Sequence, residues 1–402
     1  MRAVTRPLAD VVGDAPDLND VACGHGNLFV RDGVGVAGRG VARRVETSDA
    51  VAALAAIEHD STVEGVTPLA LGSVPFTPGF RGELIIPQVT VGKRDDGIHW
   101  VTWVDDVDPT AALAPVSEPV PVAANYTIGN SRSTAPHSTE VYLDAVTAAR
   151  DAVRAGALTK AVIARPITVT ADVPMDIHAV LQRLKASFGS SYRYSIDGFV
   201  GASPELLVEV AGATVRSHPL AGTTRRTGDV DNDRALAAEL QASAKNQIEH
   251  RIVIDVVHDT LLPWASYLDW EPEPSIVSVA NVQHLGTRME GMLSQPGPSV
   301  IELVQALSPT PALGGHPRAA ALDLISKVEG FERGRYGGAV GWVDAAGNGT
   351  WAVAIRCAEF SADRMSARLV AGGGIVADSE PLAELAETQA KFQAMLSAIV
   401  RP

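Results

Sequence analysis

An α+β fold is predicted by three features of the sequence. Short runs of β-branched and aromatic residues, bounded by Gly and Asp, recur in both halves of the chain. Several longer segments carry helix-capping residues. Tight-turn signals such as Asn348-Gly349 join neighbouring β runs, which favours antiparallel pairing over an alternating βαβ order.

From the N-terminus, residues 1–20 are rich in Asp and Pro and are expected to be loose. Between residues 28 and 105, LFVRDGVGVAGRG, GELIIPQVTVG and GIHWVTWVD read as strands. Ser48 to Ile57 reads as a helix with a serine cap. Residues 106–137 hold Pro109, Pro115, Pro119, Pro121 and Pro136 without periodicity, and form the best internal boundary. A capped helix, Ser138 to Ala155, follows and is closed by Gly156. LTKAVIARPITV (158–169), RYSIDGFVG and ELLVEV then read as strands. One long helix is expected from Asp231 to about Leu262, and another from Pro317 to Val328. AVGWVD, TWAVAIRCAEF and SARLVAGGGIV form a meander. The last helix follows Ser379, with Pro381 in its first turn, and runs to Ile399. The expected organisation is one domain over 21–402, with an N-terminal part (21–130) and a core (131–402).

With 402 residues, 46% of them hydrophobic and 20% charged, the chain buries a sizeable core. A net charge of −14 argues against a nucleic-acid surface, which needs a basic stripe. An anionic substrate must then be drawn in by local cations and a metal. Cys23 and Cys357 give neither a disulfide framework nor a zinc spacing, and a reduced cytoplasm fits best. No apolar leader opens the chain and no run of about 18 apolar residues occurs, so no membrane span is expected.

Candidate chemistry begins in PLAELAETQAKF. Glu384, Glu387 and Lys391 share one helix face, which alone suits an ordinary solvated surface. The segment before it, VAGGGIVADSE, alters that reading. Gly372, Gly373 and Gly374 between apolar residues suggest backbone approaching a ligand. Carboxylates one turn beyond can hold a hard cation through oxygen. In KNQIEHR, Lys245 and Glu249 lie at i and i+4, and the following IVIDVV heads into a core, so Glu249 needs a partner. Glu249 and Glu387, on two helices, would make a Mg²⁺ site with open positions for substrate oxygens and water. Lys160 opens an apolar strand and Glu205 precedes one, in GASPELLVEV. Both are expected to be half-buried, with pKa values shifted toward neutrality, although each alone equally suits a plain strand end. Arg356, among the apolar residues of WAVAIRCAEF, is expected to meet an anion.

Gly33-Val-Gly35-Val-Ala-Gly38 matches G-x-G-x-x-G, but no apolar helix or βαβ pattern surrounds it, so no dinucleotide site is expected. The chain has no G-x-x-x-x-G-K-[ST], H-E-x-x-H or G-x-S-x-G.

In register along the chain stand GASPELL, HPLAGTTRR, KNQIEHRIVI, VQHLGT, LSPTPALGGHP, YGGAVGWVDAAGNGTWAVAIRCAEF, VAGGGIV and PLAELAETQAKF. Together they resemble the chorismate-utilising enzymes, the group that includes anthranilate synthase component I, and within it they look most like the isochorismate synthases. The resemblance is dense over 138–400 and loose before it, where it rests on LGSVPFTPGFRGELIIP. It implies two subdomains whose antiparallel sheets pack face to face inside a shell of helices, with the site in a cleft on the helix and loop side. It also implies Mg²⁺ as cofactor, and a reaction in which chorismate exchanges its C4 hydroxyl for a C2 hydroxyl from water. By the same resemblance Lys160 is the base and Glu205 the acid. Glu249 and Glu387 match the metal ligands, and Glu384 would hold a metal-bound water or Lys391. Arg356 matches the residue that binds the enolpyruvyl carboxylate. Gly222, Thr223 and the Gly372–Gly374 run fall at substrate positions, as do Ala312, Tyr336 and Lys391, and His284 lies near the ring.

Single residues sort the relatives. Aminodeoxychorismate-forming members carry a Lys where this chain has Ala221, and Lys160 favours water over ammonia, so no glutaminase partner is expected. Ala312 is similar to isochorismate synthases, whereas Tyr336 is common in salicylate synthases. Isochorismate is the expected main product. A salicylate synthase, an ammonia-using subunit and a catalytically silent relative are the alternatives. The product would feed siderophore, salicylate or menaquinone synthesis. Chorismate is the only partner implied, and a cytoplasmic monomer is expected.

Overall fold

The computed structural model describes residues 1–13, 15–79, 81–115, 124–130 and 139–400. Their strands form sheets of thirteen, nine and three strands. The ladders are antiparallel, as predicted, apart from a parallel pairing of Arg2–Pro7 with Glu58–Ser61.

Period-2 alternation explains how the layers stack. In Asn27–Arg31 and Val34–Arg39, Phe29 and Val36 enter one apolar cluster, while Leu28, Val30 and Ala37 enter another. The first cluster also holds Ile163 and Tyr194 of the larger sheet, and Leu71, Val208 and Trp351 of the nine-stranded sheet. The two large sheets therefore pack face to face. The second cluster joins the outer face of the larger sheet to the helices Ile177–Phe188 and Pro381–Val400, through Leu181, Leu184, Phe392 and Met395.

Several expectations are corrected. The described residues of 1–20 are not loose. Arg2–Pro7 pairs with His99–Val104, and Asp17 caps the helix Leu18–Ala22, because Ala3, Leu8, Leu18 and Val21 are buried. Ser48 to Ile57 splits into a 3₁₀ turn, Thr47–Asp49, and the helix Ala50–Ala55, which lacks a side-chain cap. GELIIPQVTVG is two strands in two sheets, Glu83–Ile86 and Val89–Lys93, divided at Pro87, which has no N–H for a ladder. TWAVAIRCAEF divides in the same way into Gly349–Val353 and Cys357–Phe360. The long helix breaks at Ser243, which turns extended and caps the second of the two helices Val230–Ala242 and Ala244–Leu261. LFVRDGVGVAGRG and RYSIDGFVG are each a hairpin of two strands, Asn27–Arg31 with Val34–Arg39 and Tyr192–Ile196 with Phe199–Ser203. The remaining expected strands and the last two helices fall where the sequence placed them, while Ile177–Phe188, Val300–Leu307 and the strands from Thr214 to Leu293 were not read from it. Gly33 turns a hairpin between two strands, and no helix follows the G-x-G-x-x-G match.

Of the Pro-rich stretch 106–137, a short helix (Pro109–Ala112) and a strand (Tyr126–Asn130) belong to the described residues. Residues 116–123 and 131–138, including the expected Ser138 cap, lie outside them. No helix among the described residues is long and apolar enough to cross a membrane.

Candidate active site

The chain crosses between the two large sheets at one end of a cavity, and those crossings place its polar side chains. From Phe199–Ser203 in the larger sheet, Pro204 and Glu205 lead into Leu206–Ala211 in the smaller. Ala354–Arg356 make the return crossing. Arg356 takes a left-handed backbone conformation there, φ 53°. That is uncommon for a residue with a Cβ, and it turns the side chain out of the strand alternation. The cavity, about 210 Å³, is lined by both residues.

Lys160 begins the strand Lys160–Ala171, and its side chain is 1% exposed. Its Nζ lies 2.7 Å from Glu249 Oε1, on the helix Ala244–Leu261. The partner that the sequence required for Glu249 is thus Lys160. Helical spacing brings Lys245 to the same cavity.

Glu205 is buried, and its carboxylate accepts a hydrogen bond from Leu220 N at 3.4 Å. Burial raises its pKa from 4.5 to about 7, against the opposing pull of Leu220 N–H, Lys160 and Arg356. Burial also lowers His284, with the Arg356 charge adding to it, to about 3, so the imidazole is neutral. His284 Nδ1 lies 3.2 Å from Gly222 O and 3.0 Å from Thr223 Oγ1, and Nε2 lies 3.2 Å from Arg356 Nη2. A guanidinium only donates, so Nε2 accepts and the ring proton sits on Nδ1, directed at Gly222 O. A neutral His284 therefore aims Arg356.

The last helix supplies the opposite wall of charges. Lys391 Nζ donates to Glu387 Oε1 at 2.6 Å and to Gly372 O at 2.7 Å. Glu384 is raised from 4.5 to about 7 by burial and then by the negative charge of Glu387. The glycine run lets these groups close in. A Cβ on Gly373 would stand 2.8 Å from Glu384 Oε2, and one on Gly374 would stand 2.6 Å from Glu249 Oε1. Part of what approaches this backbone is therefore the protein's own carboxylates. Tyr336, buried beside Ala312 in the lining, has its phenol pushed up to about 12 by burial and stays protonated.

Lys160, Glu205, Gly222, Thr223, Glu249, His284, Ala312, Tyr336 and Arg356 all line this cavity, with Gly372, Gly374, Glu384, Glu387 and Lys391. Gly373 is not part of the lining, although a Cβ there would meet the lining carboxylates Glu384 and Glu387. Lys245 and Asn246 line it as well and were not singled out as site residues. The i, i+4 spacing of Lys245 from Glu249 was the available signal.

Lys160, Lys245, Arg356 and Lys391 share the cavity with four glutamates, two of which are held near neutrality by burial. The balance favours an anionic ligand despite the net charge of −14. Among the described residues, no group of three or more His, Cys, Asp and Glu is placed to hold a metal ion. Glu249 and Glu387 each face a lysine here, Lys160 and Lys391, and as oxygen donors on one cavity they suit a hard cation whose other ligands come from water and substrate.

Residues 48–400 match the family model described as chorismate binding enzyme. A Mycobacterium tuberculosis protein provisionally named isochorismate synthase is 38% identical over 375 residues, covering 89% of this chain and 93% of that protein. The isochorismate synthase DhbC of Bacillus subtilis is 35% identical over 343 residues, 83% of this chain and 81% of that protein. The menaquinone-specific isochorismate synthase of Escherichia coli has a similar fold, with a TM-score of 0.82 at 23% identity over 99% of this chain and 94% of that one.

Proposed function

This chain belongs to the chorismate-binding enzyme family, and we propose that it is an isochorismate synthase that uses Mg²⁺. It would convert chorismate reversibly to isochorismate by adding water at C2 and releasing the C4 hydroxyl. The observation that carries this reading is the pairing, in one cavity, of a buried carboxyl with a pKa of about 7, Glu205, and a buried lysine, Lys160.

Arg356, aimed by His284, would bind the enolpyruvyl carboxylate. Lys160 Nζ would take the proton of the water that attacks C2. Only the neutral amine can take that proton, and its nearest carboxylate is Glu249 Oε1, 2.7 Å away. Glu205 would deliver its proton to the departing C4 oxygen. Glu249 and Glu387 would hold Mg²⁺, which, when bound, would offset the charge of the ring carboxylate. Ala221 presents no amine to the ring, and so supports water as the nucleophile.

Incubation with chorismate and Mg²⁺, followed by chromatography, tests this. Isochorismate is the expected product. Salicylate with pyruvate would instead give the lyase reading, the direction in which the buried Tyr336 points. Anthranilate on adding ammonium, or unchanged chorismate, would overturn the assignment.

A further inference from the structure

Behind the cavity lies a fully buried ion pair that the chemistry above does not use. Glu329 and Arg333 have side chains 1% and 2% exposed. Arg333 Nε donates to Glu329 Oε2 at 2.8 Å, and Nη2 to Glu329 Oε1. The remaining donors go to backbone: Nη1 to Leu313 O at 2.8 Å and Nη2 to Val162 O at 2.7 Å. Glu329 Oε1 in turn accepts from Ala164 N at 2.7 Å. The guanidinium lies over Phe76, 4.2 Å from the ring centroid.

The strand that carries Lys160 explains why such a pair is needed there. One edge of Lys160–Ala171 pairs with Ser366–Ile375 along almost its whole length. On the other edge, Lys160 and Ala161 pair with His316 and Gly315, and Ile167 to Ala171 pair with Asn130 to Tyr126. Between those two ladders no strand among the described residues covers residues 162–166. Val162 N–H finds Gly314 O at 3.0 Å. Pro166 has no N–H to satisfy. Of the backbone groups left on this edge, Arg333 takes Val162 C=O and Glu329 takes Ala164 N–H. The pair thus supplies here hydrogen bonds of the kind a neighbouring strand gives, and through Leu313 it also ties down the loop that carries Ala312.

We propose that Glu329 and Arg333 are positioning residues for the reaction, fixing the strand that presents Lys160 against the loop carrying Ala312. The inference rests on the isochorismate synthase reading. Two conservative variants test it. Arg333→Lys keeps the charge but loses the fork that reaches Val162 and Leu313, and Glu329→Gln keeps an oxygen for Ala164 N but loses the charge. Leu184→Ala, in the apolar cluster on the far face of the sheet, serves as a destabilised control.

At a temperature where circular dichroism shows all three folded, Arg333→Lys should lower kcat about 10–100-fold, since small misplacements of a reacting group are costly. KM for chorismate should stay within about 3-fold, because Arg356 and Lys391 sit on other elements. Leu184→Ala should keep kcat. Amide exchange at Val162 and Ala164 should quicken in both pair variants and not in the control. Unchanged kcat in both folded variants overturns the proposal, as does a rise in KM alone. An equal loss of kcat in Leu184→Ala also overturns it, by assigning the effect to stability, and so does failure of both pair variants to fold. If the wild type leaves chorismate untouched, the functional reading fails, while amide exchange still decides whether the pair holds this strand.

Discussion

Glu205 owes its proton to its surroundings. No salt bridge to a described residue holds it, and burial outweighs the nearby cations to place its pKa near 7 instead of 4.5. A general acid contributes about 10²–10⁴-fold, so Glu205→Gln should lower turnover by that order while chorismate binding survives. kcat/KM of the wild type should fall as pH rises through about 7, and the variant should lose that limb. The same shift has a stability consequence. A carboxyl raised in the folded state contributes stability that is fully present below its unfolded pKa and is lost as pH rises through the folded one. Relative to wild type, Glu205→Gln should therefore gain stability between pH 4.5 and about 7, by on the order of 3 kcal/mol for this fully buried group. Thermal unfolding at pH 5 and pH 8.5 checks this, and an unchanged difference between the two proteins would refute it. Lys160 and Glu205 drew notice beside apolar runs, but each alone equally suited a plain strand end, and it was the family resemblance that marked them as base and acid. Lys245 was not, since a lysine one turn from a glutamate is equally at home on a solvated helix.

At the scale of elements, the glycine run shows a strand thinned so that side chains of two helices can reach it. A methyl at Gly374 would meet Glu249 Oε1 at 2.6 Å and Lys160 Cε at 2.9 Å. Gly374→Ala should therefore push apart the Lys160–Glu249 pair and cost at least about 10-fold in kcat, with circular dichroism unchanged. Full activity in that variant would show that the pair has room to shift. The run was visible as a place where backbone meets something, but what it meets depended on how two distant helices dock. The crossings at Pro87 and at Ala354–Arg356 were hidden for a related reason. Residues on both sides of each crossing are buried, so the apolar pattern continues while the chain changes sheets.

For the whole molecule, the two apolar clusters hold the sheets and helices together without help from the cavity carboxylates. Removing a bound cation should then abolish activity and leave the fold in place. Treatment with a chelator is expected to lower turnover by orders of magnitude, and Mg²⁺ to restore it, with the far-UV spectrum constant throughout. Full activity in the chelated protein would overturn the metal proposal.

The sequence by itself determined the α+β class, the antiparallel pairing, and the main elements of 139–171, 192–211 and 318–400, and its family resemblance pointed to most of the charged residues that meet in the cavity. Local periodicity, capping and turn chemistry carry that information, and the ordered motifs carry the family. The tertiary structure decided where strands change sheets, that Arg2–Pro7 joins the larger sheet, and which carboxylates close on the glycine run. It also decided that His284 is neutral and aims Arg356, and that a buried Glu329–Arg333 pair completes the edge of the Lys160 strand. Each of these depends on contacts between residues far apart in the chain, through burial and hydrogen-bond partners that no local window of sequence contains.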